Sequence, residues 1–244
     1  MSELTAKQKK LADLLFKTKT QAKIRRRKQN PDGSFEFYHI IRDTSPFDFR
    51  IDPGEFVFKH HEVTPGAALS PMYINLRSLP GNVIDQIAKV LNEIKLDERP
   101  DFCTGIPNAA VPYAKKFSEI SGIPYVAILE KDDTPQHHQI LPAGNAQKGN
   151  GKKLLIVDDL ITKGGSKMEA INVAEDLGYK VMGLLILIDR EEGGKEVMEE
   201  KGYKIYSALT LSQLLDYYLS TKTISKDQYD ETVKYLNYSR NLNV

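Results

Sequence analysis

From about residue 80 onward the sequence switches regularly between helical and strand periodicity, and this alternation leaves few architectures open to the chain. Val83, Ile84, Ile87, Leu91 and Ile94 share one helical face; residues 101–105 read as a strand, 109–120 as a helix and 125–129 as a strand. A long polar stretch follows at 130–153, and its length and composition point to a mobile or functional loop. Beyond it come a strand at 154–158, a helix at 165–177, a strand at 180–188, a helix at 195–201, a strand at 204–207 and a helix opened by a Thr210/Gln213 capping box. A Ser225/Gln228 box starts the last helix. Apolar strands joined through helices predict an α/β fold, a parallel sheet with helices on both faces.

The segment ahead of this region reads differently. Residues 3–28 carry a Thr5/Gln8 box and Leu11, Leu14, Leu15, Thr18 and Ala22 at helical spacing, which predicts one long helix. Its second half holds Lys17, Lys19, Lys23, Arg25, Arg26, Arg27 and Lys28 without an acid, a pattern that suits a solvated face near a helix C-terminus. Asn30-Pro31-Asp32-Gly33 breaks it, and Phe35, Phe37, Phe47, Phe49 and Ile51 alternate with polar residues as in two short strands. The expected division is an extension of helix and hairpin at 1–53 and a main domain at 54–244.

Leu154 to Ser166, LLIVDDLITKGGS, carries the chemistry. Four apolar residues form a strand buried on both faces, ending in Asp158 and Asp159, and in an open parallel sheet ligands bind at the carboxyl ends of strands. Thr162, Lys163, Gly164, Gly165 and Ser166 then enter a helix and offer backbone N–H groups and hydroxyls to a phosphate. The carboxylates repel a phosphate; their partners are neutral hydroxyls, or Mg²⁺ reached through water. Hydroxyls beside a phosphate indicate a sugar phosphate. The apolar run and acidic pair alone also occur in receiver domains, Walker-B strands and ordinary solvated turns.

With its Thr and Gly-Gly-Ser at fixed offsets, the segment resembles the phosphoribosyl pyrophosphate (PRPP) motif of type I phosphoribosyltransferases. Three further segments resemble orotate phosphoribosyltransferases: Ser70 to Arg77 (SPMYINLR), the Gly105 to Pro112 loop, and residues 184–215 with Asp189-Arg190 and Gly193-Gly194-Lys195. The resemblance implies that Asp158 and Asp159 hold the ribose hydroxyls, Thr162 to Ser166 the 5-phosphate, and Lys131 the pyrophosphate. It implies that Arg190, Lys59 and Thr162 contact orotate, since a guanidinium suits a carboxylate and a purine does not need one. Lys131, Asp158 and Asp159 would be the catalytic set. Mg²⁺ is expected as cofactor, held mainly by PRPP, with no metal ligated directly by protein side chains. A homodimer is implied through a cationic lid shared between subunits. The alternatives are a transferase for another base and a non-catalytic PRPP-binding regulator whose basic 17–28 segment touches nucleic acid.

Two departures stand out. His60 to Leu69 intervene between Lys59 and Ser70-Pro71, where the family runs on almost directly. The lid pattern Arg-Lys-x-x-Lys is replaced by Glu130-Lys131-Asp132-Asp133-Thr134, so that Lys131 alone matches, and His137, His138, Lys148 or Mg²⁺ are the groups that could supply the missing positive charge.

With 34 basic and 33 acidic residues, overall charge offers no reason to expect nucleic acid or membrane as the main partner. Val181 to Ile188, the longest apolar run, is too short to span a bilayer, and the N-terminus lacks a signal-peptide core; a cytoplasmic protein is expected. The single cysteine, Cys103, forms no intrachain disulfide, and the adjacent histidines of His60-His61 and His137-His138 would point to opposite faces of a strand, against a zinc site.

Overall fold

The computed structural model describes residues 3–132 and 139–241, apart from the side chains of Lys59 and His60. In chain order the elements begin with α1 (Ala6–Lys17), β1 (Thr20–Gln29), β2 (Phe35–Thr44), β3 (Phe47–Phe49), a 3₁₀ turn at Lys59–Glu62 and β4 (Met72–Ile74). There follow α2 (Gly81–Leu91), β5 (Phe102–Gly105), α3 (Val111–Ser121), β6 (Leu129–Lys131), β7 (Ile140–Pro142) and β8 (Lys153–Ile161). The last are α4 (Gly165–Asp176), β9 (Lys180–Asp189), α5 (Gly194–Glu200), β10 (Lys204–Thr210), α6 (Leu211–Ser220) and α7 (Lys226–Arg240). Two compact units alternate along the chain: Met1–Leu11 with Pro80–Leu214, and Ala12–Leu79 with Leu215–Val244.

The first unit is built on a parallel sheet of order β10-β9-β8-β5. β8 and β9 are central, which is why Leu154 to Val157 and Leu184 to Ile188 are all at most 1% exposed. Ile156, Ile161, Ile171, Leu184, Ile186 and Met198 belong to one core cluster, joining β8 and β9 to α4 and α5. Each such side chain contributes roughly 1.5–3 kcal/mol by leaving water. α3 packs on β5 and β8, α4 on β9 and α5 on β10. The Thr210/Gln213 box forms at the start of α6, with each backbone N–H bonded to the other's side chain at 3.0 and 3.2 Å.

Residues 125–129, expected to form a full strand, give only a bridge from Tyr125 to Cys103. Cys103 N donates to Pro124 O and Val126 N to Cys103 O, both at 2.9 Å, and beyond Val126 the chain leaves this sheet, so that Leu129–Lys131 pairs antiparallel with Ile140–Pro142. The 130–153 stretch thus contains local β-structure; Asp133 to His138 lie outside the described residues.

In the second unit, the long helix expected at 3–28 ends at Lys17, and residues 20–29 form β1, paired along its whole length with β2. The reversal is an Asx turn: Asp32 Oδ1 accepts from Ser34 N at 2.9 Å and Gly33 sits at φ 85°. The basic run is stabilised as a strand by partners distant in sequence. Arg25 and Arg27 lie over the rings of Phe37 and Phe35 at 5.0 and 4.8 Å, Arg25 pairs with Glu62, Arg26 with Asp52, and Arg27 donates to Ala67 O. Ala22 and Ile24 alternate inward against Phe56. The predicted pair of short strands is also redistributed: β2 runs on to Thr44, and Phe47–Phe49 pairs with Met72–Ile74 instead.

Arg42 ties this unit together, 2.8 Å from Asp48 Oδ2 and 3.2 Å from Glu55 Oε2, with Glu55 only 2% exposed. Arg42→Met leaves two carboxylates without their counter-ion and should cost roughly 3 kcal/mol in urea unfolding. A loss below about 1 kcal/mol would show that water reaches Glu55.

Candidate active site

The parallel register of β8 and β9 sets Ile161 opposite Asp189. The turns after both strands are then stitched together, with Arg190 N donating to Ile161 O at 3.1 Å and Gly194 N to Thr162 O at 2.7 Å. On the other side of β8, Ile106 N donates to Val157 O at 3.0 Å, bringing the Gly105 to Pro112 loop to the same strand end. Three segments picked out from sequence therefore converge.

β8 extends beyond the expected 154–158, because β9 is long enough to continue the ladder through Leu160 and Ile161. Asp158 and Asp159 consequently lie within the strand. Asp158 is 3% exposed; its Oδ2 is 2.7 Å from Lys167 Nζ and its Oδ1 accepts from Asp159 N at 2.8 Å. Lys167 escaped the sequence reading. Its signal was a lysine on the inward stripe of α4, with Ala170, Ile171 and Ala174. Asp159 keeps part of its surface open at the strand's end but is packed by protein on most sides; that burial, then the Asp158 carboxylate, push its pKa up to about 7, with Lys167 acting against them.

Gly164 caps α4 at φ 88°, a left-handed conformation that costs glycine little, and no side chain occupies the cap. The helix has no acid in its first turn, and its leading N–H groups have no intrahelical acceptors. Thr162 and Lys163 are half-buried while Gly165 and Ser166 are exposed, so the loop offers backbone and hydroxyl donors to an anion.

Arg190 is 8% exposed and pairs with Glu192 at 2.8 Å. Its neighbour Asp189 instead accepts from Glu191 N at 2.8 Å, and burial pushes the Asp189 carboxyl up. Arg190 Nε is buried without an acceptor among the described residues. Lys131 ends β6, half-buried. Lys59 opens the 3₁₀ turn, but its side chain lies outside the described residues, as do Thr134, His137 and His138.

A model of the phosphoribosyl transferase domain matches residues 78–209. An orotate phosphoribosyltransferase of Pyrococcus horikoshii is 34% identical over 73% of this chain and 94% of its own length. The chain belongs to the orotate phosphoribosyltransferase family. UMP synthase of Leishmania donovani superposes with a TM-score of 0.64 at 25% identity, over 79% of this chain and 39% of that one. Orotate phosphoribosyltransferase of Aeropyrum pernix gives 0.52 at 25% identity, over 60% and 83%.

Two outcomes follow from this geometry in an orotate phosphoribosyltransferase. A Cβ on Gly194 would stand 2.3 Å from Thr162 O. Gly194→Ala should therefore cost about 2 kcal/mol of stability and weaken inorganic phosphate binding roughly tenfold by calorimetry; unchanged binding would contradict the close approach. The Asp159 carboxyl, raised from 3.8 to about 7, keeps its proton in the folded protein through a window where the unfolded chain has lost it. Its contribution to stability is thus lost as pH rises across that window, and Asp159→Asn should flatten the slope of unfolding free energy against pH there.

Proposed function

We propose that the protein transfers the ribose 5-phosphate of PRPP to orotate, giving orotidine 5-monophosphate and pyrophosphate. The observation that supports this reading is the hydrogen bond from Arg190 N to Ile161 O, which joins the turn that carries Arg190 to the strand end that carries the acidic pair. Asp158 and Asp159 accept hydrogen bonds from the ribose hydroxyls, Asp159 in its ionised form. Thr162, Lys163, Gly164, Gly165 and Ser166 hold the 5-phosphate with the α4 N-terminus. Arg190 receives the orotate carboxylate through its guanidinium. Thr162 and Lys59 complete the orotate site, and Lys131 faces the pyrophosphate.

The bond from the ribose anomeric carbon to pyrophosphate breaks as the bond to the orotate ring nitrogen forms, through an oxocarbenium-like state. Two fixed carboxylates beside the ribose favour the positive charge that develops there. Among the described residues no group of three or more His, Cys, Asp or Glu could cage a metal ion. A Mg²⁺ ligated chiefly by PRPP oxygens, with Asp158 and Asp159 nearby, would neutralise charge on the departing pyrophosphate. We take the active form to be a cytoplasmic homodimer with a shared lid at 130–138. The arginines that would have served a nucleic-acid-binding regulator are engaged by Glu62, Asp52 and Ala67 within their own unit. No helix among the described residues is long and apolar enough to cross a membrane.

Turnover with PRPP, Mg²⁺ and orotate, followed by the loss of orotate absorbance, tests the reading. Arg190→Ala should raise the orotate KM at least about thirtyfold, the loss of a charge-assisted pair, with the PRPP KM little changed. Turnover with adenine, hypoxanthine or uracil but not orotate would overturn the substrate assignment.

A further inference from the structure

We propose that Lys167 is a positioning residue of the sugar-phosphate site, fixing Asp158 from beneath and making Ser166 a hydrogen-bond donor towards the 5-phosphate. The inference rests on residues 158–166 forming the PRPP site and is independent of which base reacts.

The inward stripe of α4 consists of Lys167, Ala170, Ile171 and Ala174. The first place in such a stripe is ordinarily apolar, because an ammonium there gives up its hydration. A lysine stem in the first helical turn is long enough to carry its charge out to water. Lys167 turns inward instead, at 7% exposure, and its Nζ reaches two groups: Asp158 Oδ2 at 2.7 Å and Ser166 Oγ at 3.3 Å. One belongs to the acidic pair and the other to the phosphate loop.

Asp158 thereby has both oxygens directed, Oδ2 by Lys167 and Oδ1 by Asp159 N at 2.8 Å. One of the two adjacent negative charges is also cancelled before a ligand bearing phosphates approaches. For Ser166 the consequence is directional. An ammonium donates and cannot accept, so the serine oxygen serves as acceptor on its inner side and its single proton remains for an outer partner. Ser166 is exposed at the N-terminus of α4, where the fitting acceptor is a phosphate oxygen.

Lys167→Met keeps the length of the stem and removes the charge; Lys167→Arg keeps the charge. By calorimetry and steady-state kinetics the Met variant should bind PRPP at least about tenfold more weakly with the orotate KM within about threefold, and the Arg variant should recover most of the loss. A folded Met variant with wild-type PRPP affinity, or one in which both KM values rise together, would overturn the role of Lys167. Failure of the wild-type protein to bind PRPP would instead overturn the site itself. Should the Met variant not fold, the charge-free pair Asp158→Asn/Lys167→Met is compared with Asp158→Asn. The double variant should bind inorganic phosphate at least about threefold more weakly, because Ser166 has lost its orienting donor, and equal affinities would refute the proposal.

Discussion

The site depends on the parallel pairing of β8 with β9. Buried on both faces, neither strand can slip by one residue without moving its neighbours' contacts, and the hydrophobic residues at 154–157 and 184–188 hold the register. Once Ile161 stands opposite Asp189, the main-chain bonds from Arg190 to Ile161 and from Gly194 to Thr162 follow. Two turns separated by more than two dozen residues are thereby locked into one surface. Gly194 is part of this lock, since any larger residue would meet the Thr162 carbonyl.

Charge within the site is arranged around this frame. Two adjacent carboxylates at a buried strand end repel each other and lose solvation, and Lys167 answers with an internal positive charge on Asp158. Asp158 is thus held in place by Lys167, and burial together with the Asp158 carboxylate pushes the Asp159 carboxyl up to about 7. Glu192 likewise compensates the charge of Arg190, whose Nε has no acceptor among the described residues.

Much of the main sheet was legible in the sequence, because central parallel strands announce themselves as uninterrupted apolar runs and their helices as regular stripes. The candidate residues at 158–166 and 190 were legible as a group at strand ends, and the pairing of β8 with β9 sets those ends side by side. The N-terminal segment misled for a physical reason. Lysine and arginine have good helix propensity, and what makes Arg25, Arg26 and Arg27 a strand lies elsewhere, in Phe35, Phe37, Asp52, Glu62 and Ala67. Tyr125 to Leu129 was over-read because apolar character does not reveal that the chain leaves the sheet after Val126 to pair with Ile140–Pro142. Lys167 was passed over because a cation on a helix is normally solvated, and only its distance to Asp158 gives it meaning.

The most direct test of the account is a crystal structure with orotidine 5-monophosphate bound, since that one molecule must touch every part of the site. The phosphate should sit on residues 162–166, the ribose hydroxyls at Asp158 and Asp159, and the base carboxylate at Arg190. A phosphate seated on the Gly105 to Pro112 loop, or a base turned away from Arg190, would contradict it.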